Sequence, residues 1–160
     1  MNQTLVLGYG NPDRQDDGVA WHVLHALAIK LDLPAPDSYE EEFPPNDRLD
    51  FCFTLQLTPE MAEDIAAYKR VCFVDAHTGS IAAQVQMVLV LSQFQNSPFT
   101  HHLTAQTLLS MCQSLYGKAP QAALLSVRGY QFEFECGLSA ETAALVPEAI
   151  EMILEWMGEK

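Results

Sequence analysis

The chain is predicted to be an α/β protein: a three-layer α/β/α sandwich around a mainly parallel, twisted sheet of about five strands. Three observations carry this expectation. Short apolar runs suited to buried strands alternate with longer periodic segments suited to helices. The first and third of those runs stop abruptly, one at a glycine pair and one at an aspartate, as strands do where they leave a core. With 160 residues, 49% of them hydrophobic, the chain can build one full core, so residues 1–160 are read as a single domain.

The elements follow in order. Thr4-Leu5-Val6-Leu7 is a buried strand that turns sharply at Gly8-Tyr9-Gly10-Asn11-Pro12, and Val19 to Leu31 has helical periodicity. A Pro-rich acidic loop, Pro34 to Asp47, leads to a second strand over Leu49 to Leu57, with Phe51, Phe53 and Leu55 expected on one face. Thr58-Pro59-Glu60 resembles a helix start, threonine as N-cap and proline at the first helical position, and that helix is expected to run to about Lys69. Arg70 to Val74 is a continuous apolar strand ending at Asp75-Ala76-His77. Gln84 to Leu91 reads as a strand, Phe94 to His102 as a loop and Thr104 to Leu115 as an amphipathic helix. Ala122 to Val127 is the fifth strand, Gln131 to Glu135 alternates weakly, and Ser139 to Met157 closes the chain as one helix capped by Ser139.

Composition narrows the function. The net charge of −13, from eight basic against 21 acidic residues, opposes a phosphate backbone, so nucleic acid is not an expected partner. No apolar run approaches the roughly 20 residues that span a bilayer, and the N-terminus carries no basic-then-apolar secretory signal. Cys52, Cys72, Cys112 and Cys136 form no C-x-x-C pair. Cys52 and Cys72 lie in strand-like runs, where a buried structural thiol is expected, and the protein reads as reduced and cytoplasmic.

Three positions past strand ends or in loops could carry chemistry. Asp16-Asp17 precedes the first helix; one carboxylate there caps a helix, but two exceed what capping requires. Asp75 ends the third strand, and if the first and third strands are neighbours it shares a crevice with Asp17 at the carboxyl ends of the strands, where open α/β sheets bind ligands. His101-His102 sits in a loop before a helix, with His77 a competing imidazole. Two carboxylates and an imidazole suit a divalent first-row metal. No G-x-S-x-G elbow or Walker loop is present. Asp13 stands where a dinucleotide fingerprint needs its third glycine, and acids at that turn repel a pyrophosphate.

Leu5-Val-Leu-Gly-Tyr-Gly-Asn11 followed by Asp16-Asp17-Gly18 resembles the N-terminal motif of the nickel-iron hydrogenase maturation endopeptidases. The resemblance extends through Asp75-Ala76 at the end of the third strand and Thr100-His101-His102-Leu103-Thr104-Ala105 before a helix, three motifs in the family's order. It implies that Asp17, Asp75 and His101 are the metal ligands, with His102 an alternative register for the third. It further implies a peptidase that removes the C-terminal extension from the nickel-loaded large-subunit precursor, with nickel supplied by that substrate and water as the expected attacking group. A monomer is the expected state. Two departures stand out: Leu57-Thr58-Pro59-Glu60 replaces the family's G-T-x-G segment, and Ala20 replaces a glycine after Asp-Asp-Gly. A non-catalytic nickel-recognising assembly module, built on the same ligands, is the alternative. Gly-Tyr-Gly-Asn-Pro also resembles the opening of peptidyl-tRNA hydrolases, but the chain offers no basic channel for tRNA.

Overall fold

Alternation of apolar strands with helices resolves into a five-stranded sheet of order β2-β1-β3-β5-β4. The computed structural model describes residues 2–92 and 103–158. Its strands are β1 (Thr4–Tyr9), β2 (Asp50–Thr54), β3 (Arg70–His77), β4 (Val85–Val90) and β5 (Gln121–Arg128). The helices are α1 (Val19–Lys30), α2 (Met61–Ala66), α3 (Ala105–Tyr116), α4 (Ala140–Ala143) and α5 (Val146–Met157), and a kinked 3-10 segment, Pro12–Gly18, joins β1 to α1. All pairings are parallel except β4 against β5, which is antiparallel. The expected mainly parallel α/β sandwich is therefore the architecture found.

Helices cover both faces. Val6, Cys72, Val74, Leu125 and Val127 pack beneath α1 and α5, while Leu5, Leu7, Val71 and Phe73 pack beneath α2 and α3. Period-two alternation along β1 and β3 sends successive side chains into the two cores, and each fully buried Leu or Phe contributes about 1.5–3 kcal/mol relative to exposure. From β1 the chain crosses to β2 on one side, then returns to β3 on the other. The reversal puts a topological switch point between β1 and β3, and the crevice outside their carboxyl ends is the place such folds use for ligands.

Several expected boundaries move for identifiable reasons. The second strand stops at Thr54, where its carbonyl accepts the Gly10 N–H at 3.2 Å, and the chain then bends so that Leu55 is 56% exposed instead of joining Phe51 and Phe53. Thr58 does not cap α2, whose N-cap is Glu60; its carbonyl accepts the Met61 N–H at 3.1 Å and closes a turn over Pro59 and Glu60 ahead of the helix. The helix ends early because the Lys69 N–H already pairs with the Gln3 carbonyl at 2.9 Å, in register with the sheet. Cys72 is buried as expected, but Cys52 is exposed: it sits on edge strand β2 above short α2, where it helps line a cavity of about 260 Å³. The C-terminal helix is two helices. Pro147 has no N–H to offer the Ala143 carbonyl and its ring would clash there, so α4 ends at Ala143 and α5 begins beyond the break. Gln131 to Glu135 forms no strand and is a loop. Ser139 caps α4 as expected, accepting from Thr142 N at 3.2 Å, and Thr104, read from sequence as the first residue of its helix, is instead the N-cap of α3, accepting from Thr107 N at 3.1 Å.

Candidate active site

The turn after β1 is built to swing one carboxylate over the sheet. Gly10 has φ +141°, and a Cβ there would lie 2.0 Å from the Asp17 carbonyl oxygen; at Gly18 a Cβ would lie 2.3 Å from Pro12 Cα. Only glycine permits both approaches. Asn11 opens the 3-10 segment, its Oδ1 accepting from Asp13 N at 3.0 Å, and Pro12 follows at its first position. The Asn11 N–H donates to Asp17 Oδ2 at 2.9 Å, which fixes the carboxylate at the mouth of the crevice.

Asp16 points the other way, into the protein, and is fully buried. Its Oδ2 accepts from Tyr130 N at 2.8 Å, Gln131 N at 2.9 Å and Ser139 Oγ at 2.7 Å, and its Oδ1 accepts from Ser139 N at 2.8 Å. Burial alone would raise its pKa, but those four donors outweigh burial and hold it below the ordinary value of 3.8. Gln15 reinforces the clasp: its N–H donates to the Glu135 carbonyl at 2.9 Å and its Oε1 accepts from Glu133 N at 2.9 Å. The clasp holds Gln15 at φ +48°, a left-handed conformation that a non-glycine residue keeps only under external constraint. Neither aspartate caps α1, whose N-terminus has no side-chain cap. The pair is thus divided between two jobs, Asp16 holding the turn and Asp17 presented by it.

Asp75 leaves β3 on the face covered by α2 and α3, half-buried, with Oδ1 accepting the Ala76 N–H at 2.7 Å. Burial pushes its pKa up to about 7; the nearby Asp17 charge adds to the rise, and the bonds from Ala76 and the Tyr9 hydroxyl restrain it. Tyr9 stands one step on from the Gly8–Val74 pair of the β1–β3 register, beside Asp75 on the same face. Burial, together with the Asp75 charge and hydrogen bond, keeps its phenol protonated far above the ordinary range. Neither Asp17 nor Asp75 has an ion-pair partner among the described residues, where the ion pair is Lys30–Glu151. Two neighbouring carboxylates without an ion-pair partner among the described residues are a donor set of the kind that binds a cation.

The structure therefore brings Asp17 and Asp75 together. His101 and His102 lie outside the described residues. Among the described residues no three His, Cys, Asp or Glu side chains converge as a metal-holding group, so the third donor is not supplied from them. His77 is not that donor: its Nε2 meets the Ala83 carbonyl at 3.0 Å and its Nδ1 accepts from Gly79 N at 3.1 Å, which occupies both ring nitrogens. His22 and His25 lie on α1, half-buried around Trp21 at ring-centroid separations of 5.1 and 4.9 Å. Tyr9 was not singled out from sequence; the signal was available, since a large polar side chain between two turn glycines needs a reason.

With that geometry in view, solved structures give the same arrangement of elements. The chain superposes on hydrogenase maturating endopeptidase HybD from E. coli with a TM-score of 0.71 at 21% identity, covering 98% of this chain and 92% of that one. The chain has the hydrogenase maturation endopeptidase fold. The hydrogenase 2 maturation peptidase from Thaumarchaeota archaeon SCGC_AB-539-E09 matches at TM-score 0.64 and 20% identity, over 99% of this chain and 100% of that one. The [NiFe] hydrogenase maturation protease HybD from Thermococcus kodakarensis matches at 0.59 and 17%, over 98% and 99%. No protein-family profile and no curated protein sequence matches the chain. The likeness covers nearly the whole of this chain and of each of these three.

Proposed function

We propose that this protein is an endopeptidase that removes the C-terminal extension from the nickel-loaded large-subunit precursor of a nickel-iron hydrogenase. The observation that carries the reading is the meeting of Asp17 and Asp75. Two aspartates 58 positions apart in sequence, picked out by separate motifs, meet beyond the carboxyl ends of the neighbouring strands β1 and β3, close enough for the Asp17 charge to act on Asp75.

In this reading nickel arrives as part of the substrate. Asp17 and Asp75 offer carboxylate oxygens to it and His101 an imidazole nitrogen, a donor set that suits a divalent first-row metal. A metal so held can orient the chain and polarise the scissile carbonyl. Asp17 is held for that task by the Asn11 N–H, and Asp75 by the Ala76 N–H and Tyr9. Water is the attacking group. The partner is the large-subunit precursor, and the protein works as a cytoplasmic monomer. Among the described residues no helix is long and apolar enough to cross a membrane.

The test is incubation with nickel-loaded and nickel-free precursor, followed by mass spectrometry of the large subunit. Loss of a C-terminal fragment from the loaded form alone supports the peptidase. Binding without mass loss supports the assembly module instead. His101→Ala should abolish processing; full activity in that variant would move the third ligand to His102. Acidification below pH ~6.5 should weaken capture, because a ligating imidazole must be neutral.

A further inference from the structure

One row of the sheet departs from the pattern around it. On the face beneath α2 and α3, Cys52, Leu7, Phe73, Leu124 and Val88 stand side by side across all five strands, an apolar row with a single thiol. Two residues further along β1, the next row on that face is entirely polar: Thr54, Tyr9, Asp75, Ser126 and Gln86. Asp75 stands at its centre, and two of its neighbours are already engaged. Tyr9 bonds to Asp75, and Thr54 Oγ1 donates to the Gln56 carbonyl at 3.2 Å. The other two, Ser126 and Gln86, make no side-chain hydrogen bond among the described residues.

Ser126 is the informative member. It is 6% exposed and lies inside β5, which continues through buried Val127 to Arg128, so it is no strand end meeting solvent. Buried hydroxyls nearly always find a partner. The buried side-chain polar atom left without one and fully enclosed, among the described residues, is Trp21 Nε1, not Ser126 Oγ. The Ser126 hydroxyl therefore keeps an opening, and it borders Asp75 directly in the β3–β5 register. Gln86 is next to it on antiparallel β4 and half-buried.

Resting on the endopeptidase reading, we propose that Ser126 and Gln86 form a binding subsite for an extended stretch of the substrate polypeptide beside the bond to be cut. The subsite is uncharged and offers one hydroxyl and one carboxamide, groups that both donate and accept, which is the chemistry of main-chain N–H and C=O rather than of a charged side chain. From Asp75 to Gln86 the row crosses two strand spacings, ~10 Å, the length of about three extended residues. A cut directed at Asp75 thus leaves a short run of substrate backbone lying over β5 and β4. Ser126 and Gln86 bind and take no part in the chemistry.

The experiment is steady-state processing of nickel-loaded precursor by Ser126→Ala, Gln86→Ala and the double variant, with direct binding of the same precursor measured alongside. Each single change should raise KM and the binding Kd about three- to tenfold, with kcat within twofold of the unsubstituted protein. The double variant should lose affinity further. Unchanged KM in all three overturns the subsite, and so does a fall in kcat at constant KM. Gln86 is half-buried, so its variant tests the subsite even if Ser126→Ala folds poorly. If the unsubstituted protein leaves the loaded precursor uncut, the endopeptidase reading fails together with the subsite, a result visible before any variant is compared.

Discussion

Asp16 and Asp75 are two buried or half-buried carboxylates near one turn, and their surroundings push them in opposite directions. Asp16 is fully enclosed and receives four hydrogen bonds, so its charge is worth more inside the fold than outside it. Asp75 receives the Ala76 N–H and the Tyr9 hydroxyl but faces burial and the Asp17 charge with no ion-pair partner among the described residues, so its charge is worth less inside. Satisfaction, not burial, separates a carboxylate whose charge the fold stabilises from one whose charge it disfavours. The clasp on Asp16 constrains the strained turn that presents Asp17, so the structural region serves the functional one.

Breaking the satisfied side should have the largest effect on stability. Asp16→Ala leaves two backbone N–H groups of the 130–131 turn, the Ser139 N–H and the Ser139 hydroxyl without their acceptor, and should cost about 3–5 kcal/mol, read as a lower Tm and denaturant midpoint. Processing should fall with it, because the turn holding Asp17 relaxes. A cost under 1 kcal/mol would show that the clasp is incidental.

Removing charge on the unsatisfied side should do the reverse. Because the Asp75 pKa is raised to about 7 in the folded protein from an ordinary 3.8, the folded state binds that proton more tightly, and its contribution is present at low pH and lost as pH rises through 7. Asp75→Asn should therefore raise Tm at pH 8 by roughly 5–10 °C and change little near pH 4. Asp16 has the opposite sign: its lowered pKa contributes stability above 3.8 that disappears as pH falls. Thermal melts of Asp75→Asn across this range check the point; a variant less stable at pH 8 would contradict it.

Smaller changes sharpen the contrast. Gly10→Ala places a methyl group against the Asp17 carbonyl and should cost about 1–3 kcal/mol while impairing processing more than stability alone explains. Tyr9→Phe should cost about 1 kcal/mol or less. It should move the Asp75 titration upward, because the lost hydroxyl bond favours the ionised form, and carboxyl-carbon NMR would follow that shift.

The sequence made one side of this contrast legible and hid the other. Asp17 and Asp75 stand after apolar runs, and parallel pairing of β1 with β3 was all that was needed to bring them together. The 3.6-residue and two-residue periods likewise marked most elements. Which of the Asp16-Asp17 pair did what stayed hidden because the true partners of Asp16, Tyr130, Gln131 and Ser139, lie more than a hundred positions away in a loop without periodicity. Ser126 and Gln86 gain meaning only from register, since each is an isolated polar residue in its own strand. The break before α5 was readable in Pro147, whose effect on the carbonyl four residues back is local.

The most direct measurement is the mass of the nickel-loaded large-subunit precursor after incubation with the unsubstituted protein, Asp17→Asn or Asp75→Asn. Only the unsubstituted protein should remove the C-terminal extension, and both variants should fall at least ~100-fold in rate while melting no lower than the unsubstituted protein at pH 8. Cleavage by Asp75→Asn at the unsubstituted rate would contradict the assignment of the crevice as the active site.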